Sequence, residues 1–310
     1  MGAMHGSSPG THDHGHGQDH RPAAPAARLR VVLVLTLALV AVETAVAFLA
    51  GSVALLGEAA HMLVDAVGVG LALAALRLAG HPSRDDARTF GWYRIEVLAA
   101  LVNALLLFGA AGYVLVESTL RLVHGSHPDA APMLAAALLG LAVNFGAYLL
   151  LREDGTANLN VAAALTDVMA DALGSAAVVA AALVVAVTGW SDADPIAAGA
   201  IGVWILPRTW MLAGRALRVL LQVAPAHVDL AALRVDLGSV PGVVDVHDVH
   251  VWTLTSAMDV ASAHLVVGPE ADHHAVLDAA ILVVRDRHGI EHATLQVEPL
   301  DHGDCSEISW

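Results

Sequence analysis

Six apolar stretches, at residues 29–50, 53–79, 95–120, 132–151, 161–187 and 195–213, are each long enough to cross a bilayer as a helix, for which about 20 residues suffice. Turn-forming segments such as GHPSRDDARTFG, HGSHPDAAP, REDGTANLN and TGWSDADP separate them. A hydrophobic share of 57% and a mean hydropathy of +0.65 are too high for an ordinary soluble domain. The first reading is therefore a six-span membrane protein. Beyond Gln222 the pattern changes. HVDLAALRVDL and DHHAVLDAAILVVRDRH have helical spacing, whereas GVVDVHDVHVWTL, MDVASAHLVVG and IEHATLQVEP alternate like strands. An α-β-β-α-β order predicts a small α+β sandwich after the last span.

Charge placement orients the spans. Arg21, Arg28 and Arg30 precede the first; Arg77, Arg84, Arg88 and Arg94 flank the second connection; Arg152 flanks the fourth; Arg208, Arg215 and Arg218 are read as following the last. The opposite side has only Arg121. Arginine-rich connections stay inside, so both termini are expected in the cytoplasm. Residues 225–310 hold 14 Asp and Glu against three Arg. So acidic a segment disfavours nucleic acid and anionic lipid as partners and suits cations. The N-terminal THDHGHGQDH is not a secretory signal; it reads as an unstructured, loose cation collector. One cysteine, Cys305, excludes an internal disulfide framework. No HExxH pair and no GxxxxGK loop occurs, so neither metalloprotease chemistry nor ATP hydrolysis is supported.

The second span carries GEAAHMLVDAV at residues 57–67. Ionisable groups at bilayer depth are costly and point to function. His61 and Asp65 are four apart and share a helix face; Asp167 and Asp171 repeat that spacing in LTDVMADALGS on the fifth span. Two helices with two ligands each can close a four-coordinate cage around a divalent cation. Ligands must shed protons to bind metal, and His61 is the group nearest to titrating at neutral pH, so protons and metal would compete for the cage.

HMLVD, RTFGWYRIEVLAALVNALLL, DVMADALGS, WILPRTW, VHDVHVWTLTS and SAHLVV resemble the cation diffusion facilitator family, in its bacterial cobalt–zinc–cadmium resistance branch. The resemblance spans about residues 28–298. It implies a homodimer in the inner membrane, with a six-helix transporter domain and a cytoplasmic ferredoxin-like domain, exporting divalent metal in exchange for protons. Its transport ligands fall on His61, Asp65, Asp167 and Asp171. The zinc-type pattern of the family has histidine where this chain has Asp167. Zn2+ is the first expectation, because His61 is retained and the surrounding sequence is of the zinc type. A site with one imidazole and three carboxylates is harder and discriminates less, so Cd2+, Co2+ or Mn2+ are also admitted. The resemblance also implies that Asp167→His narrows the range towards zinc. In the soluble domain it places a regulatory metal on His247, His264 and Glu298.

Expected boundaries are a disordered His-rich cytoplasmic tail at 1–27, the transmembrane domain at 28–218, the metal-binding regulatory domain at 225–300 and a C-terminal tail at 301–310. Alternation puts His247 on one face of its strand and His250 on the other; Ser262 shares a face with His264, and His292, Gln296 and Glu298 share another. Glu58, three residues before His61, is read as a neighbour of its imidazole or a pathway residue. Asn103 and Asn144 are read as interhelical hydrogen-bonding groups; Glu43 and Glu117 also lie within spans. The loop containing His81, Asp85, Arg88 and Trp92 is expected to hold no metal, and the spacing of His273, His274, His302 and Cys305 is unspecific. The chain is not expected to be an enzyme. The alternative class is a membrane-anchored metal sensor that binds without translocating.

Overall fold

The structure, a computed structural model, describes residues 23–79, 87–152, 159–255 and 258–300. The His-rich tail, His81, Asp85, His302 and Cys305 lie outside the described residues. Six long helices come first: α1 (Ala23–Ala50), α2 (Val53–Ala79), α3 (Ile95–His124), α4 (Ala130–Leu151), α5 (Leu159–Thr188) and α6 (Ala193–Leu220). All six are long and apolar enough to cross a membrane. A helix closes its backbone hydrogen bonds within itself, which hydrocarbon requires. The outward faces carry apolar side chains that water would not favour, such as Leu49, Trp204 and Trp210, at 83, 71 and 73% exposed. These faces suit lipid.

Packing divides the bundle into pairs. α3 lies most extensively against α6, and α4 against α5, while α2 touches both pairs and α1. Small residues permit close approach. A Cβ at Gly68 of α2 would lie 2.5 Å from Asn103 Oδ1 of α3, and one at Gly57 would lie 3.1 Å from Val114. At one end of the bundle the fully buried Asp194, at the start of α6, caps α2. It accepts from Ser52 Oγ at 2.5 Å and from the backbone N–H groups of Val53 at 2.8 Å and Ala54 at 3.1 Å. These are donors at the start of a helix that its own turns leave unpaired.

The last helix runs seven residues further than its apolar run, to Leu220. Arg215 and Arg218 therefore lie within α6 rather than after it, as does Arg208, which stands inside the apolar run itself. Arg208 stands about three turns before its end. Long arginine stems let a helix continue through them, which a hydropathy boundary does not register.

A second unit follows: α7 (Leu230–Gly238), β1 (Val243–Thr255), β2 (Met258–Val267), α8 (His273–His288) and β3 (His292–Pro299). The sheet order is β1-β2-β3, with β1 antiparallel and β3 parallel to β2. The parallel pair needs a crossover, which α8 supplies. Asp229 and Asp272 cap α7 and α8 by accepting backbone N–H bonds, and Gly289 ends α8 in the left-handed conformation. Leu233, Leu237, Val249, Val251, Leu265, Val276 and Ile290 form the core between helices and sheet. This is the expected α-β-β-α-β layout. Among the described residues, a hydrogen bond ties it to the bundle: Thr255 of β1 donates to Glu96 at the start of α3.

Candidate metal centres

Within the bundle, α2 and α5 bring three of the four expected ligands together. His61 Nε2 lies 3.5 Å from Asp65 Oδ2 and 4.0 Å from Asp171 Oδ1. One donor atom from each residue falls within 4.8 Å of the others. A tetrahedral ion with bonds of about 2.0 Å holds its donors about 3.3 Å apart, so small side-chain rotations would seat one. Asp65 Oδ2, Asp171 Oδ1 and His61 Nδ1 have no hydrogen-bond partner among the described residues. Buried polar atoms left unpaired are costly. Here two of the three point into one space, with a lone pair available on each.

Asp167 is placed differently. It lies one turn from Asp171, on the side of the bundle that carries the α+β unit, and its Oδ1 accepts a hydrogen bond from Arg208 Nη2 of α6. Its side chain is 39% exposed against 11% for Asp171. Asp167 thus sits at the mouth of the cluster, paired to an arginine. Sequence reading counted Arg208 with the flanking charges and missed this contact. The available signal was an ionisable residue in an apolar helix.

Glu58 does not meet the His61 imidazole through a hydrogen bond. It accepts from Ser175 of α5, which also accepts from Asn144 Nδ2 of α4 at 3.3 Å. Asn144 therefore bonds between helices, as expected. Glu43 of α1 is fully buried, and neither of its oxygens has a hydrogen-bond partner among the described residues. It approaches α4 so closely that a Cβ at Gly140 would collide with its Oε1. Glu117 pairs with Arg121 at 2.9 Å, and the Arg88 guanidinium stacks 3.7 Å over the Trp92 ring.

The sheet gathers a second set. His247 pairs across the ladder with His264, their rings 5.2 Å apart. His264 Nδ1 lies 2.9 Å from Glu298 Oε1, and His247 Nε2 lies 3.6 Å from Glu298 Oε2. Gln296 Nε2 donates to Glu298 Oε1 at 2.8 Å, and only 3% of Glu298 is exposed. His247, His264 and Glu298 do converge. At the histidines the strand parity differs from the expectation. Asp248 adopts φ +48°, and the ladder shifts register between His247 and His250. This bulge inserts one residue. His247 and His250 then pair with His264 and Ser262, which share a face, while Val249 and Val251 face the core. The bulge also brings a donor atom of Asp248 within 4.8 Å of donors on both imidazoles. Asp248 was not singled out from the sequence, because strict alternation places it on the other face.

Comparison with known proteins settles the family. The cation efflux transmembrane domain matches residues 29–221, and the cytoplasmic domain of cation efflux proteins matches residues 225–300. The chain belongs to the cation efflux family. It is a multi-pass membrane transporter and not an enzyme. This cation efflux protein is 41% identical over 262 residues to the metal cation efflux system protein CzcD of Cupriavidus metallidurans, covering 83% of this chain and 82% of the relative. It is 37% identical over 268 residues to the zinc transporter ZitB of Escherichia coli, covering 85% of each. A cadmium, cobalt and zinc/H(+)-K(+) antiporter of Bacillus velezensis is 31% identical over 274 residues, 86% of each. Among solved structures, the metal-bound C-terminal domain of the CzcD transporter from Cuprividus metallidurans is 33% identical, covers 23% of this chain and 99% of its own, and gives a TM-score of 0.22.

Proposed function

We propose that this cation efflux protein exports a divalent metal cation, with Zn2+ preferred, in exchange for protons. The observation that carries the reading is the convergence of His61, Asp65 and Asp171 inside the bundle, with donor atoms unpaired. Asp167 is the fourth ligand of the proposed site. The names of the relatives, which include zinc transport and H(+)-coupled antiport, support the same substrate class. One imidazole with several carboxylates discriminates less sharply and accepts harder or larger ions too, so Cd2+, Co2+ and Mn2+ belong to the range. Metal binds the deprotonated donors, and protons arriving from the other side displace it, which couples the two fluxes when the site opens alternately to each side.

The working protein is a homodimer in the inner membrane with both termini cytoplasmic, as the arginine distribution supports. Residues 28–218 carry transport, residues 225–300 regulate it by binding Zn2+ at His247, His264 and Glu298, and segments 1–27 and 301–310 are tails.

The test is flux of Zn2+, Cd2+ and Mn2+ into proteoliposomes under an imposed pH gradient, with Asp171→Ala alongside. Gradient-driven zinc flux that the variant abolishes is the expected result. Tight binding without flux would instead make the protein a sensor.

A further inference from the structure

We propose that Arg208 is a built-in counter-cation that competes with the transported metal for Asp167. The inference rests on the transport reading above and adds a residue that no ligand pattern supplies. A guanidinium within an apolar helix needs a counter-charge close by. The available partner is a carboxylate on the same helix face as Asp171, one turn away. Arg208 Nη2 donates to Asp167 Oδ1, and Asp167 stays outside the group of donors that converge at His61. In this state the centre offers three protein ligands and one unfilled position. Loading becomes four-coordinate only when Asp167 exchanges the guanidinium for the metal.

The exchange has a mechanical side. Arg208 belongs to the α3–α6 pair and Asp167 to the α4–α5 pair. Their bond is therefore a strap between the two halves of the bundle, at the end that carries the α+β unit. Metal capture by Asp167 removes the strap, and metal release restores it. Arg208 is a positioning residue in this scheme: it acts through Asp167 and touches no metal. Its charge also makes the empty mouth less negative, which lowers affinity and helps release.

Zinc flux in proteoliposomes of full-length protein tests this, through KM and kcat measured separately. Arg208→Gln frees Asp167, so KM falls by about tenfold, the scale of one charge-assisted hydrogen bond, and kcat falls with it because release slows. Asp167→Asn removes the fourth ligand, and KM rises. The double variant Asp167→Asn/Arg208→Gln stays close to Asp167→Asn, above the additive value, because without Asp167 the guanidinium withholds no ligand. Arg208→Lys keeps the charge and stays near wild type in KM. An Arg208→Gln protein with unchanged or raised KM overturns the inference, as does strict additivity in the double variant. If Arg208→Gln does not fold, Arg208→Lys and the double variant decide: a raised KM in Arg208→Lys, or a double variant whose KM falls about tenfold or more below that of Asp167→Asn, overturns it equally. Absent flux in the wild type strikes the transport reading instead, so the two failures are distinguishable.

Discussion

His61, Asp65 and Asp171 stand on two helices, whereas His247, Asp248, His264 and Glu298 stand on three strands of one sheet. Both sets combine imidazole with carboxylate, so their donor chemistry is nearly the same. Their scaffolds are not. In the sheet, ladder hydrogen bonds run from β1 to β2 to β3 and fix the distance between donors. In the bundle, each helix satisfies its own backbone, and α2 meets α5 through side chains alone. Donors on separate helices can part without breaking a backbone hydrogen bond. Those on the sheet cannot. In the proposed roles, a cargo site needs to let go and a regulatory site needs to hold, and each scaffold suits the role proposed for it.

The sharpest way to break that comparison is to remove one donor from each set. Asp65→Ala should cut zinc flux by about a hundredfold or more, at least the loss typical of residues that merely support a metal ligand. Proteoliposome assays read this directly, and flux within a few-fold of wild type would separate the bundle cluster from transport. A smaller effect follows from acidity. Metal needs a neutral imidazole, so lowering the pH on the loading side should raise the zinc KM, while the same change on the release side should speed turnover. A zinc KM that does not change with loading-side pH would separate proton binding from the cluster. His264→Ala should have the mildest effect on flux. It should abolish zinc binding to the sheet, read by calorimetry against wild type, yet leave most of the transport rate.

The parts legible in the sequence were those governed by one period. Helix spacing placed His61 with Asp65 and Asp167 with Asp171, and strand alternation delivered β1, β2 and β3 in order. The parts that escaped depend on a partner far along the chain or on a local break in the period. Asp248 joins its cluster only because a positive φ inserts a bulge. Asp194 caps a helix that starts about 140 residues earlier, and no spacing rule connects it to Ser52. Arg208 sits in an apolar helix, where its stem fits and its charge finds Asp167 across the bundle. Long-range pairing of this kind is written in the fold, not in any window of sequence.

The Asp194 clasp on α2 has a geometric consequence. It pins one end of α6, so a rigid tilt of that helix acts as a lever with its fulcrum at Asp194. Arg208 lies 14 residues along the arm, about 21 Å at 1.5 Å per residue. A swing of about 10° then carries the guanidinium about 3.7 Å, further than a hydrogen bond can stretch. A modest rocking of one helix, with its far end held fast, is enough to part Arg208 from Asp167.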